Sequence, residues 1–306
     1  MSIKETPPSA GILDNLAPGI ARVLAPNPSP MTYWGTNTYI VGEGSVAIID
    51  PGPADMAHLH ALLAATRGRR VEAILVTHSH LDHSPLAAHL SHETGAPVMA
   101  YGDSSAGMSS EMKNLRDSGL VSGGEGVDAN FKPDICLFDG EEVHGHGWTL
   151  QALWTPGHLS NHLCFALDDI LFTGDHVMGW ASSLVSPPDG DLTQFMASCQ
   201  RLSLRNDSVY FPGHGAPINA PNERINWLIS HRLGREEQIL NQLRKAAATT
   251  ETLTRAIYTD INPALMKAAA RNVFAHLLDL THRGLVSSDG SLSLQATFCL
   301  THREIT

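Results

Sequence analysis

The stretch LVTHSHLDHS, residues 75–84, places three histidines and one aspartate within residues 77–83. It continues an apolar run, residues 73–76, at the end of a predicted strand, residues 71–76, that has apolar residues on both faces. Imidazole and carboxylate groups suit a borderline cation such as zinc. Four ligands in one short loop cannot all bind a single tetrahedral ion and leave a position open. The pattern therefore favours two cations.

Three later turns each place a metal-binding residue type just beyond a predicted strand. His158 follows Thr-Pro-Gly, Asp175 follows Thr-Gly, and His214 follows Pro-Gly. The adjacent glycine lets the backbone turn sharply and approach the site closely. Ligands at strand ends are held on rigid elements, as metal geometry requires.

These turns complete a set of seven candidate ligands. One ion would take His78, His80 and His158, and a second would take Asp82, His83 and His214. Asp175 would bridge them. A water shared by two ions roughly 3.5–4 Å apart would become hydroxide near neutral pH. Asp82 is also our candidate to carry a proton to the leaving group.

The chain divides into two regions that differ in predicted secondary structure. Residues 1–222 alternate short strands and helices, which suggests an α/β protein with an αββα sandwich. Residues 101–140 are rich in Gly, Ser and charged residues, which suggests an insertion or lid-like excursion from the sandwich. Residues 223–306 predict three helices, at 223–248, from Thr250 and at 263–283, followed by a hairpin at 286–300. This order is typical of a winged-helix-like domain.

His78-x-His80-x-Asp82-His83, with His158, Asp175 and His214 in that order, resembles the metallo-β-lactamase superfamily. The resemblance covers most of residues 20–222 and implies two metals in an αβ/βα four-layer sandwich. An aspartate rather than a cysteine at 175 is similar to the glyoxalase II, lactonase and nuclease branches. The C-terminal part is similar to the winged-helix extension of a subgroup that includes bacterial hydrolases and a mitochondrial endoribonuclease.

The resemblance implies a zinc hydrolase and leaves the substrate open. The first hypothesis is a hydrolase acting on an ester, thioester or lactone, with a small-molecule substrate. Two Zn²⁺ are expected, with Fe or Mn in one or both positions as the alternative. A second hypothesis is a ribonuclease in which residues 223–306 hold RNA through Arg232, Arg235, Arg244, Lys245 or Arg271, although solvation is the simpler explanation for these charges. A third is a mononuclear iron persulfide dioxygenase, which the complete second ligand set disfavours. A non-catalytic binding protein is disfavoured for the same reason.

Other residues are candidates for supporting roles. Trp34, His176, Met178 and Trp180 could form walls of a substrate site, although core packing competes for Met178 and Trp180. His162 could support a ligand. Asp50 could orient a ligand histidine or simply form the turn before Pro-Gly. His58 lies on a predicted helix and is expected to be solvated.

The charge distribution bears on partners and location. Residues 1–222 hold 10 basic and 23 acidic residues, whereas residues 223–306 hold 10 and 8. An acidic first region argues against broad nonspecific binding of nucleic acid there. The polar N-terminal stretch has no signal-peptide core and no apolar run is long enough to cross a bilayer, so a cytoplasmic protein without membrane contact is expected. A homo-oligomer is compatible with the sequence.

Overall fold

Two mixed β-sheets lie face to face in the first two-thirds of the chain; the computed structural model describes residues 6–121 and 126–301. The first sheet follows chain order: β1 Leu13–Ala17, β2 Ile20–Leu24, β3 Asn37–Val41, β4 Ser45–Ile49, β5 Arg70–Leu75, β6 Val98–Ala100 and β7 Ile135–Cys136. Strands β1 to β4 pair antiparallel, and β4 to β7 pair parallel. The carboxyl ends of β4 and β5 therefore lie side by side.

The second sheet has the spatial order β12-β11-β10-β9-β8. Its strands are β8 Glu142–Gly145, β9 Trp148–Trp154, β10 Leu163–Leu167, β11 Ile170–Gly174 and β12 Val209–Pro212. Strand β11 pairs parallel with β12, and the other neighbours pair antiparallel. The carboxyl ends of β9, β11 and β12 consequently reach the same edge of this sheet.

The inner faces of the two sheets form one apolar core. Tyr39 and Leu75 of the first sheet belong to the same buried cluster as Leu163 and Phe172 of the second. Each is at most 2% exposed. Full burial of a side chain of this size contributes roughly 1.5–3 kcal/mol, so this core fixes the two sheets against each other.

Helices cover the outer faces of both sheets. The helices of the chain are α1 Met56–Ala65, α2 Ala87–Thr94, α3 Ser110–Asp117, α4 Leu192–Ser203, α5 Pro221–Leu243, α6 Thr250–Ile257 and α7 Met266–His282. Leu59 and Leu90 of α1 and α2 pack on the first sheet, and Phe195 of α4 packs on the second. The predicted αβ/βα four-layer sandwich is confirmed.

The C-terminal part is the predicted winged-helix domain. A three-stranded sheet, β13 Ala248–Thr249, β14 Val286–Ser288 and β15 Thr297–Leu300, has the order β13-β15-β14. Its core includes Leu253 of α6, Phe274 of α7 and Phe298 of β15. The side chain of Thr249 accepts from Thr252 N–H, which explains why α6 begins where the sequence predicts a capped start.

Helix α5 is shared by both parts of the molecule. Ile225 and Leu228 pack into the core beneath the second sheet, whereas Ile239 and Leu243 pack into the C-terminal core. The expected division at residues 222 and 223 thus falls at the first turn of a helix that serves both cores. Every helix among residues 6–121 and 126–301 is too short or too polar to cross a lipid bilayer.

Two expectations of solvent exposure are wrong. His58 is buried, and its Nε2 lies 2.8 Å from Thr38 Oγ1, because α1 turns this face toward the first sheet. Arg232 is only 3% exposed and bonds to Ser183 O and Asn272 Oδ1. Arginine carries enough donors to satisfy several acceptors at once, which makes its burial here tolerable.

Candidate metal centre

The loop after β5 is anchored by Asp50 at the end of β4. Its two carboxylate oxygens accept from Thr77 N–H at 2.7 Å and from Thr77 Oγ1 at 2.8 Å. Oδ2 also lies 2.9 Å from His83 Nδ1. Asp50 adopts φ +54°, a conformation that aspartate tolerates better than most residues. The sequence offered two roles for Asp50, orienting a ligand histidine or forming a turn. The contact with His83 favours the first of these roles.

All seven candidate ligands converge between the sheet edges. His80 Nδ1 lies 3.0 Å from His78 Nε2 and 3.1 Å from His158 Nε2. His214 Nε2 lies 3.2 Å from both Asp82 Oδ2 and Asp175 Oδ2. Strands distant in sequence therefore bring these groups together. We call this set the His/Asp cluster; it consists of His78, His80, Asp82, His83, His158, Asp175 and His214.

The cluster divides into groups that could each hold a cation. One group is His78, His80 and His158, and another is Asp82, His83 and His214. Within each, one ligand atom per residue lies within 4.8 Å of the others. Asp175 Oδ2 is 3.7 Å from His158 Nε2 in the first group and 3.2 Å from His214 Nε2 in the second. A third group, His78, His83 and Asp175, combines residues assigned to different ions, so the division between two ions stays a prediction.

Unpartnered oxygens test whether a cation fits here. Both oxygens of Asp175 are buried and accept no well-formed hydrogen bond in the described structure, although His214 Nε2 lies 3.2 Å from Oδ2 and His83 Nε2 lies 3.5 Å from Oδ1. Burial of a carboxylate with so little hydrogen bonding is costly, whereas a divalent cation would satisfy it. A Cβ at position 213 would lie 2.2 Å from Asp175 Oδ1, so only glycine leaves room. The residues fit a metal.

Electrostatics separate the cluster into two kinds of histidine. Burial and the neighbouring imidazoles lower the pKa of His80 to about 3, and they hold the pKa of His78 well below its usual range. Burial opposes the charge of His214 too, but the carboxylates of Asp175 and Asp82 outweigh it and raise its pKa to about 10. The same negative charge would attract a cation, and the neutral imidazoles are the form that binds metals.

Backbone acceptors set the ring orientation of two histidines. His158 Nδ1 donates to Leu184 O at 2.7 Å, and His214 Nδ1 donates to Gly35 O at 3.1 Å. Each bond leaves Nε2 facing the cluster, an arrangement that commonly orients metal ligands. No sequence feature indicates these carbonyls, because a backbone acceptor has no residue-type signature.

Two further side chains support the acidic members. Thr36 Oγ1 donates to Asp82 Oδ2 at 3.0 Å, a contact that the sequence analysis missed. His162 Nε2 accepts from Asp175 N–H at 3.2 Å, so it holds the backbone of that residue. The only sequence signal for Thr36 is its place in the Gly-Thr-Asn loop before β3.

A largely apolar cavity of about 270 Å³ adjoins the cluster at His158. Met178 and Trp180, two of the four candidates for substrate walls, line it, and the C-terminal helices contribute Arg235 and Tyr258. The other two candidates lie elsewhere. His176 is buried with its Nε2 3.5 Å from Cys199 Sγ. Trp34 stacks on Tyr33, which itself stacks on Trp180.

Part of the 101–140 excursion lies against the ligand loop. Leu81 N–H donates to Gly126 O at 3.0 Å, and Asp128 N–H donates to Ser79 O at 2.8 Å. Residues 122–125 of the expected lid lie outside the described residues. The segment also carries α3, whose Met112 and Leu115 pack into the C-terminal core. The excursion thus links the ligand loop to the second domain.

Comparison with known proteins agrees with this architecture. Residues 31–214 match the model of the metallo-beta-lactamase superfamily, and residues 249–295 match the beta-lactamase associated winged helix domain. The chain is 31% identical over 286 residues to the beta-lactamase-like protein 2 homolog of Caenorhabditis elegans, covering 90% of this chain and 88% of that protein. It is 30% identical over 249 residues to an atrochrysone carboxyl ACP thioesterase of Aspergillus fumigatus, covering 79% and 70%.

A solved structure supports the same assignment. A metallo-beta-lactamase family protein of Thermus thermophilus superposes with a TM-score of 0.74 at 26% identity, covering 94% of this chain and 100% of that one. The chain therefore belongs to the metallo-β-lactamase superfamily. It is a metal-dependent hydrolase of that superfamily, with a C-terminal winged-helix domain.

Proposed function

We propose that this protein is a thioesterase that holds two zinc ions in the His/Asp cluster. The observation that carries the proposal is the cluster itself, which shares His158 with the lining of a largely apolar cavity. Apolar walls suit an acyl chain, and the cluster would face its carbonyl end. A thioesterase among the relatives at 30% identity favours a thioester over an ester or lactone.

The donor set favours zinc within the ion choices left open by the sequence. Five imidazoles and two carboxylates supply more nitrogen than oxygen, a mixture that zinc accepts readily. His78, His80 and His158 would hold one ion, Asp82, His83 and His214 the other, and Asp175 would bridge them. Bound cations would lower the pKa of a nearby water and draw electron density from the acyl carbonyl.

The protein's own residues would orient the reaction and handle its proton. Hydrolysis breaks the acyl C–S bond, forms a C–O bond from water, and requires a proton for the departing thiolate. Asp82 Oδ1 has no hydrogen-bond partner, and Oδ2 is held by Thr36. The fixed oxygen keeps the carboxyl in place, so that the free oxygen can carry the proton to the leaving group. Met178 and Trp180 would exclude water from the acyl chain.

Turnover of an acyl N-acetylcysteamine thioester tests the proposal. Protein loaded with two equivalents of zinc should hydrolyse hexanoyl-N-acetylcysteamine, and a chelator should abolish turnover until zinc is restored. Elemental analysis of the same sample should give two zinc ions per chain. Asp175→Ala, which removes both bridging oxygens, should lose metal and activity together. A zinc-replete protein that leaves the thioester intact while cleaving an ester or lactone would overturn the substrate class.

The ribonuclease hypothesis receives no comparable support. Two of the arginines expected to hold RNA are engaged inside the protein, since Arg232 is buried and Arg271 donates to Pro187 O and Val121 O, each at 3.0 Å. Both arginines thus bind loops of this chain. A single-stranded RNA belongs in the same turnover assay as a comparison substrate.

A further inference from the structure

The cavity beside His158 has a lining of mixed chemistry. His158 belongs to both the lining and the His/Asp cluster, and apolar side chains such as Leu184, Ile261 and Leu265 also line it. Helix α5 contributes His231 and Arg235 to the same lining. None of the described residues that line the cavity is Asp or Glu. A ligand that fills this cavity and reaches the cluster at His158 could therefore contact both apolar side chains and the cation of Arg235.

Arg235 is held in place with part of its donor capacity unused. Its guanidinium lies 3.9 Å from the centroid of the Tyr258 ring, and Nη1 donates to Gln238 at 2.8 Å. Nε is buried and has no partner. Within residues 6–121 and 126–301, no carboxylate lies within salt-bridge distance of Arg235. Stacking thus orients a cation that has no carboxylate partner among the described residues.

The surroundings of Arg235 are positive although the whole chain is acidic. The net charge of the chain is −11. Burial lowers the pKa of His231, and the guanidinium groups of Arg232, Arg235 and Arg224 lower it further. His231 lies four residues before Arg235 on α5 and shares its helix face. Arg224 and Arg232 thus lie on the same helix as Arg235 and near His231, and positive charge beside the cavity would favour a bound anion.

We propose that the substrate's acyl group carries an anionic group at its far end, and that Arg235 is the specificity-determining residue that binds it. This inference rests on the proposed thioesterase function and names its substrate class. The carbonyl would face the cluster, the chain would lie along the apolar walls, and the terminal anion would accept from Arg235. A cavity of about 270 Å³ is small for a ligand site and favours a short acyl chain.

A matched pair of thioesters tests the inference. Adipoyl- and hexanoyl-N-acetylcysteamine share a six-carbon acyl chain, and only adipoyl ends in a carboxylate. We expect the wild-type protein to prefer the adipoyl compound in kcat/KM by roughly 10- to 100-fold, the range of a charge-assisted hydrogen bond. Arg235→Gln should remove this preference by slowing adipoyl turnover, with little change for hexanoyl.

Two other variants separate charge from stability. Arg235→Lys keeps the charge and should retain part of the preference, which a mere loss of packing would not restore. Arg255→Gln serves as the control, because Arg255 lies on the surface of α6 with its side chain 73% exposed and should leave both rates unchanged. Equal turnover of the two thioesters by the wild type, or an equal loss of both in Arg235→Gln, would overturn the inference while leaving the thioesterase function intact.

If neither thioester is hydrolysed, that result counts against the proposed thioesterase function. The anion site is then tested separately, by direct binding. Hexanoate is titrated into metal-free protein, so that its carboxylate cannot bind through zinc, and comparison with Arg235→Gln isolates the contribution of the arginine. We expect calorimetry to detect binding that Arg235→Gln weakens at least tenfold and Arg255→Gln leaves unchanged. Binding that is equal in wild type and Arg235→Gln would refute the anion site independently of catalysis.

Discussion

Asp82 has its two carboxylate oxygens in different surroundings. Oδ2 accepts from Thr36 and lies near two histidines, whereas Oδ1 is buried without a hydrogen-bond partner. The side chain is 13% exposed, so it is the one acidic member of the cluster that solvent reaches to a measurable extent. This asymmetry is what a proton carrier needs, because one oxygen can be anchored while the other exchanges a proton.

Asp82→Asn should therefore slow turnover more strongly for a poor leaving group than for a good one. The amide cannot carry the proton, and positioned proton transfer contributes roughly 10²–10⁴-fold. A thiolate departs more easily without protonation than an alkoxide does. The measurement is kcat for a matched thioester and ester, with zinc content determined on the same samples. Equal losses on both substrates at full zinc occupancy would contradict the proton role and indicate a defect in metal geometry.

At the scale of elements, the cluster follows from where strands end. Parallel pairing puts Asp50 beside the loop after β5, and it puts Asp175 beside the turn that carries His214. The sequence could predict this convergence because the ligands follow apolar strands, and because His158, Asp175 and His214 each stand next to a glycine. It could not predict that α5 and α7 hold the segment containing Leu184, since those contacts join positions far apart with no shared pattern.

That segment connects the C-terminal helices to a ligand. Asn272 Oδ1 of α7 accepts from Val185 N–H at 3.1 Å and from Arg232 Nη1 at 2.9 Å. The neighbouring Leu184 carbonyl accepts from His158 Nδ1. The winged-helix domain thus supports a ligand histidine through two successive hydrogen-bonded layers, without touching the proposed ion sites.

Asn272→Ala should consequently weaken one zinc site without unfolding the protein. It leaves Val185 N–H and one Arg232 donor without their acceptor, so the Leu184 carbonyl loses its fixed position. Changes in the groups that orient metal ligands typically weaken metal affinity 10–100-fold. Asn272 acts on such a group rather than on the ligand itself, so we expect the zinc affinity to fall roughly tenfold. Competition with a chelating dye measures the affinity. Asn241→Ala, at an exposed position of α5, provides the control and should bind zinc as the wild type does. Unaltered affinity in both variants would show that α7 does not support the ligand.

For the whole molecule, α5 couples the stability of the two domains, because it packs into both of their cores. Its first half closes the core under the second sheet and its second half closes the C-terminal core. Met112 and Leu115 of the excursion add a second connection, because they pack with the C-terminal core. The changes in net charge and in predicted secondary structure indicated a division near residue 222. Neither change shows that a single helix supplies apolar residues to two separate cores.

Removal of zinc should therefore destabilise both domains together. A ligand that binds only the folded state stabilises it by roughly 2.7 kcal/mol at a free concentration one hundred times its Kd. The proposed ions would be held by residues of the first domain alone, but α5 and the hydrogen bonds of Asn272 would transmit the loss of stability to the second domain. Thermal unfolding with and without chelator should show one transition that shifts downward by several degrees, with tryptophan fluorescence and far-UV circular dichroism giving the same midpoint. Two separated transitions, of which only one responds to the chelator, would mean that the winged-helix domain folds independently of the metal centre.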